Sequence, residues 1–298
     1  MRVFVTLLMA GAFLLPSNLG AQEGLKVYIS ADMEGVVGVV TGDHLGPEGF
    51  EYQQAREWLT EEVNAAIRAA KAAGATEIMV SDSHGNGENI LVDRLPADVL
   101  LVRSWPRPLM MMQGIDDTFD AVLFIGYHAS TTNPRGVRAH TMSSGNLTGI
   151  RLNGIAVPEA AINSAIAGHF GVPVVMISGD DAIIEEARSL LGDVEGAILK
   201  EAYGFHSALT VMPEVAYSLI EEAVGKALGR LDDFRPYRLE APIRVEVSFK
   251  NYLPAELLAY LSIVDRVDSH TIGFEGQDML EVSRFLAFIS RYRPDISP

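Results

Sequence analysis

The chain has no cysteine, so disulfides and thiolate ligands are unavailable, and any metal it holds must be bound through nitrogen and oxygen. Positive charge is scarce: 23 Lys and Arg stand against 39 Asp and Glu, a formal charge of −16. That balance argues against nucleic acid or anionic lipid as partners. There is no internal repeat and no low-complexity tract. What is present is ordinary for a globular protein, with a hydrophobic fraction of 48% and a charged fraction of 21%. At 298 residues the chain can build one large domain, or a large and a small one.

The longest apolar run, residues 3–15, follows Met1-Arg2 and precedes Pro16 and the small residues Gly20-Ala21. It is too short for a comfortable membrane span and reads as a secretory signal over 1–21, cleaved after Ala21. The other reading is an uncleaved N-terminal anchor. No cysteine follows, so a cysteine-linked lipid anchor is excluded. The expectation is an exported protein, periplasmic or secreted, with no stable membrane partner after cleavage.

Three apolar, β-branched runs each end in metal-type side chains. Residues 26–31 run into Asp32 and Glu34, 77–81 into Asp82 and His84, and 121–126 into His128. In an open α/β sheet, ligands collect beyond the carboxyl ends of parallel strands, so these residues are expected to share one pocket. Carboxylates and imidazoles meeting there fit zinc or a similar divalent ion. A single Asp-x-Glu is more often a loop cap, and a single histidine after a strand is more often structural; recurrence at three strand ends gives them weight.

Between the runs, helical spacing over 51–73 ends at Gly74, a good C′ residue. Strand, loop, helix, strand is the grammar of a parallel βαβ unit. Residues 35–50 read as an active-site loop, 98–102 as a short strand, and 147–157 as a hairpin turning at Asn153-Gly154. Met110–Met112 reads as core or pocket wall. Helices are expected at 158–169 and 182–191, the second capped by Asp180 or Asp181, with a strand at 172–178 between them. Beyond a boundary within 200–212 the pattern changes to helix 213–228, strand 243–249, helix 254–260, strand 270–274 and helix 276–292. The fold class is therefore α/β, a mostly parallel or mixed sheet flanked by helices, with a smaller C-terminal α+β domain. The domains read as a catalytic unit over 22–205 and the smaller unit over 206–298.

Two further residues are candidates. Glu159 opens the helix after Pro158, where an acid also suits the helix dipole without any ligand role. His140 lies in a polar loop after His128, from which it could reach substrate. Asp82 could hold the second ring nitrogen of His84 or line the site. The histidines at 44, 169, 206 and 270 read as structural or surface residues.

Together these segments resemble the DppA-type zinc-dependent D-aminopeptidases. The resemblance is carried by Ser30-Ala31-Asp32-Met33-Glu34-Gly35, Ser81-Asp82-Ser83-His84, Leu123-Phe124-Ile125-Gly126-Tyr127-His128-Ala129, His140-Thr141-Met142 and Ser178-Gly179-Asp180-Asp181. It continues through Phe249-Lys250-Asn251-Tyr252 and Gln277-Asp278-Met279-Leu280-Glu281. The resemblance implies two zinc ions per subunit. Asp32 would bridge them, Glu34 and His84 would complete one site, His128 and Glu159 would complete the other, and His140 would be catalytic. It also implies a ring-shaped homo-oligomer, commonly a decamer, whose inner chamber admits only short peptides. The signal sequence departs from cytoplasmic members and brings peptides containing D-alanine, released from cell-wall material, within reach.

The activity expected is hydrolysis of short peptides with an N-terminal D-amino acid by metal-activated water. The alternatives are an exported dinuclear hydrolase of another amide or a phosphoester, and a non-catalytic metal- or peptide-binding protein.

Overall fold

The computed structural model describes residues 24–295; the signal segment assigned to 1–21 lies outside them. The chain opens with strand β1 (Leu25–Ala31), helix α1 (Tyr52–Ala72), and strands β2 (Ala75–Asp82), β3 (Leu100–Val102) and β4 (Ala121–Tyr127). A hairpin of β5 (Leu147–Leu152) and β6 (Ile155–Ala156) leads into α2 (Glu159–His169), β7 (Val174–Asp180) and α3 (Asp181–Leu191). Then come β8 (Glu195–Gly204), β9 (Ser207–Thr210), α4 (Pro213–Gly229), β10 (Ile243–Phe249), α5 (Tyr252–Leu258), β11 (Asp265–Arg266), β12 (Thr271–Gly276) and α6 (Met279–Arg291).

Seven strands form the main sheet in the order β3-β2-β1-β4-β7-β8-β9. All its pairs are parallel except β8 with β9. From β1 the chain builds outward to β2 and β3, then returns to lay β4 on the other side of β1. The order reverses between β1 and β4, so the crevice a ligand would use opens at their carboxyl ends.

Alternation along the central strands sends side chains to two cores. Val27, Ile29, Leu123 and Ile125 pack with α1 and α4 on one face, and Tyr28, Phe124 and Ile177 pack with α2 and α3 on the other. Every residue of β4 and β7 is buried, as expected of strands covered on both faces. On the α2 side lies a second, five-stranded antiparallel sheet, β11-β12-β10-β5-β6, whose inner residues Ile150, Val245, Val247 and Ile272 join the same core as α2 and α6. Helix α2, buried along nearly its whole length, is held between these layers.

The strands of the second sheet come from both sides of residue 205, because the 147–156 hairpin pairs with β10. Conversely α4, from the C-terminal side of that position, packs on α1 and β8. Residues 195–210, to which the sequence pattern assigns no element, are the β8–β9 hairpin, and position 205 falls in its turn. The strand was hidden because its interior carries Lys200, a charged residue in a buried position. Among the described residues no helix is long and apolar enough to cross a membrane.

Candidate metal centre

The first strand ends by leaning its backbone onto the fourth. Asp32 N donates to Ile125 O at 2.8 Å and Gly35 N to Gly126 O at 2.7 Å. Both glycines are required by this contact. A Cβ on Gly35 would lie 2.0 Å from Tyr127 O, and one on Gly126, which also has φ +71°, would lie 2.2 Å from Asp32 O. The close approach carries Asp32 and Glu34 to His128, one residue beyond β4. From the other neighbour, Ser83 N donates to Ala31 O at 2.8 Å and draws the end of β2, with His84, to the same point.

Asp32, Glu34, His84, His128 and Glu159 are all buried, with exposures of 2, 5, 8, 1 and 6%. His84 Nδ1 lies 3.1 Å from Asp32 Oδ1 and 2.9 Å from Glu34 Oε2. His128 Nε2 lies 3.4 Å from Asp32 Oδ2 and 3.5 Å from Glu159 Oε1. Two donor groups result, Asp32/Glu34/His84 and Asp32/His128/Glu159, each with ligand atoms within 4.8 Å of one another, and the two oxygens of Asp32 face one group each. Glu34, His128 and His140 form a third such group.

The ring nitrogens facing away from the cluster are engaged by backbone carbonyls. His84 Nε2 lies 2.8 Å from Leu45 O, and His128 Nδ1 lies 3.0 Å from Ala129 O. As donors to those carbonyls they leave His84 Nδ1 and His128 Nε2 as lone pairs aimed inward, the tautomers a metal needs. His128 Nε2 and Glu34 Oε2 are buried without a hydrogen-bond partner, although Glu34 Oε2 lies close to His84 Nδ1. Two acceptors pointing at a common space rather than at a proton fit a shared cation, and an all-nitrogen-and-oxygen donor set suits zinc.

Electrostatics agree with this fit. Burial, followed by the charge of Glu34, raises the Asp32 carboxyl. Burial also works to raise Glu34 and Glu159, but the imidazoles of His84 and His128 respectively outweigh it and lower both. The two histidines are held well above the ordinary imidazole range: burial opposes this, and the surrounding carboxylates, Glu34 foremost for His84 and Glu159 for His128, overcome it. Three carboxylates this close demand positive charge, which a divalent ion supplies.

His140 stacks on His128 with ring centroids 4.1 Å apart and planes at 6°. Its Nδ1 is 2.9 Å from Arg138 O, which turns Nε2 toward Glu159 Oε1 at 3.8 Å and Glu34 Oε1 at 3.9 Å. At 14% side-chain exposure it is more open than the five buried residues. The structure thus brings all six expected residues together. Asp82, however, does not hold His84; its carboxylate accepts from Asn89 N, Asn89 Nδ2 and Ile90 N, and Leu45 O takes the ring instead. Sequence pattern also misses Lys200, whose fully buried ammonium donates to the carbonyls of Glu34 and Val39. A lysine inside an apolar strand, Ala197-Ile198-Leu199-Lys200, was its only signal.

Fold and donor set together define a metallohydrolase. The D-aminopeptidase family model matches residues 25–288, and the chain belongs to that family. It is similar to the D-aminopeptidase of Bacillus subtilis (strain 168), 34% identical over 263 residues, covering 86% of this chain and 93% of that one. It is also similar to the solved structure of the Zn-dependent D-aminopeptidase DppA from Bacillus subtilis, described as a self-compartmentalizing protease. That match has a TM-score of 0.84 and 31% identity, covering 90% of this chain and all of the other.

Proposed function

We propose that the protein is an exported zinc aminopeptidase that removes an N-terminal D-amino acid, D-alanine foremost, from short peptides. The observation that carries this reading is the sharing of one buried carboxylate, Asp32, between two nitrogen-and-oxygen donor groups. Two zinc ions per subunit would be held by Asp32 between them, by Glu34 and His84 on one side, and by His128 and Glu159 on the other. When bound, zinc supplies Lewis-acid activation of the scissile carbonyl and of water near neutral pH.

The chain's own residues supply the rest. His140 presents Nε2 beside Glu34 and Glu159, where it can hold a proton for the leaving amine or donate a hydrogen bond to the developing oxyanion. Its stacking on His128 and the bond from Nδ1 to Arg138 O fix the ring for that work. Met142 N donates to Glu159 Oε1 at 2.6 Å and orients that carboxylate.

Location and assembly extend the proposal. Arg2, the apolar run 3–15 and the small residues before Gln22 support export to the periplasm or medium, where wall-derived D-alanyl peptides occur. The self-compartmentalizing relative supports a ring-shaped homo-oligomer, a decamer in this proposal, with access limited to short peptides.

The test is zinc-dependent release of the N-terminal residue from matched D- and L-alanyl peptides by the mature protein, reconstituted after chelation. Release from the D-series alone is expected. Release from the L-series alone rejects the stereochemistry, and no release from either rejects the aminopeptidase reading.

A further inference from the structure

A cavity of about 230 Å³ adjoins the metal centre and is lined by Glu159, Ser83 and Met142 on that side. Its volume lies below the roughly 300–1,000 Å³ usual for drug-sized ligands, and so suits a very small one. The rest of its wall is unexpectedly cationic for a chain of charge −16: Arg107, Arg291 and Arg293 line it, and Glu159 is its one carboxylate.

The three arginines differ in how they are employed. Arg107 is buried and donates to Ser81 Oγ at 2.8 Å, to Asp82 O at 2.7 Å and to Ser104 O, so its work is to hold the end of β2. Arg291, in the last turn of α6, lies with its guanidinium 5.5 Å from the centre of the Trp105 ring, whose other contact is Arg107 at 4.1 Å. Arg293 is already employed, donating to Tyr292 O and, through Nε and Nη2, to the Asn146 amide oxygen at 3.1 Å each, whereas among the described residues Arg291 makes no hydrogen bond and no ion pair. The Trp105 ring lies against both Arg107 and Arg291. The free guanidinium donors of Arg291 on one small cavity make a receptor for a planar anion.

The reading rests on the aminopeptidase function proposed above: a peptide whose first residue lies at the metal centre carries one obligatory anion, its C-terminal carboxylate. We propose that Arg291, held against the Trp105 ring, binds the C-terminal carboxylate of a di- or tripeptide and is a specificity-determining residue for very short substrates. Longer peptides and C-terminal amides would fail to engage it.

The experiment uses the zinc-loaded enzyme and a non-cleavable pair: D-Ala-D-Ala with its amide replaced by CH₂–NH, as the free acid and as the C-terminal amide. Calorimetry on wild type should show the acid binding about tenfold or more tightly than the amide. Arg291→Gln should bring that ratio close to one, Arg291→Lys should restore part of it, and KM for D-Ala-D-Ala should rise more than kcat falls. Equal binding of acid and amide to wild type, or an undiminished ratio in Arg291→Gln, overturns the proposal. If the acid is preferred but no D-peptide is cleaved, the carboxylate site stands and the aminopeptidase reading falls.

Discussion

Lys200 Nζ donates to the backbone carbonyl of Glu34 at 2.6 Å, joining a strand outside the candidate metal centre to the loop that carries one of its carboxylates. The same ammonium donates to Val39 O at 2.7 Å, and from the opposite layer Glu62 on α1 accepts from Val37 N at 2.8 Å. The loop after β1 is therefore clamped from both sides before any ion is considered. Lys200→Met leaves two buried carbonyls without donors and should cost about 3 kcal/mol of stability. It should also weaken zinc binding about tenfold by loosening Glu34. Denaturant unfolding and metal titration check the two parts separately; wild-type zinc affinity in the variant would show that the clamp does not position the ligand.

Glu62 gives a pH signature. Burial raises its carboxyl from 4.5 to about 8, against the lowering effects of the Val37 hydrogen bond and the Lys200 charge. The folded chain thus keeps a proton that the unfolded chain has released, between about pH 4.5 and 8. Stability contributed by this group is complete below that window and is lost as pH rises through it, with a slope approaching 1.4 kcal/mol per pH unit, roughly, at its middle. Glu62→Gln keeps an acceptor for Val37 and removes this slope. Unfolding free energies from pH 5 to 8 should fall less steeply in the variant; parallel curves would refute the assignment.

The two ligand groups predict unequal mutants. Asp32→Ala should lose both metals and all activity, because each group contains that carboxylate. His140→Ala should retain metal and lose about 10²- to 10⁴-fold in turnover, the usual range for a proton-transfer group. Metal analysis beside steady-state kinetics decides it, and a fully active His140→Ala protein removes His140 from the mechanism.

Gly35→Ala tests the backbone contact that brings β1 and β4 together. The added methyl would sit 2.0 Å from Tyr127 O, a backbone atom that cannot rotate away. Asp32 and Glu34 must then withdraw from His128. Zinc affinity should drop at least about tenfold with the main sheet intact, measured by titration alongside circular dichroism. Unchanged affinity would mean the loop has slack the structure does not show.

Much of this architecture was legible because it rests on local pattern. Apolar runs mark β1, β2, β4 and β7, the last two buried along their whole length, and Gly74, Asn153-Gly154 and Asp180 end or begin elements where turn chemistry says they should. The clustering of Asp32, Glu34, His84 and His128 was legible for a related reason: polar side chains placed directly after buried strands have few alternatives to a shared crevice. What stayed hidden depends on contacts between distant segments. Nothing near 147–156 says that the hairpin pairs with β10 in a second sheet, and the charge of Lys200 disguises β8 until its two carbonyl partners are seen. The expectation that Asp82 holds the His84 ring gave way for the same reason, since that ring nitrogen meets a carbonyl from a loop much earlier in the chain.

The reversal of strand order beside β1 also sets when the metal can arrive. Asp32, Glu34 and His84 can meet once β2 has docked against β1, but Asp32, His128 and Glu159 meet only when β4 and α2 are also in place, so a partial sheet holds one group of candidate ligands and never both. Filling of the second group then reports on completed assembly: a chain that has filled it has already passed its own inspection, and one that stalls earlier competes for metal with a single group at most.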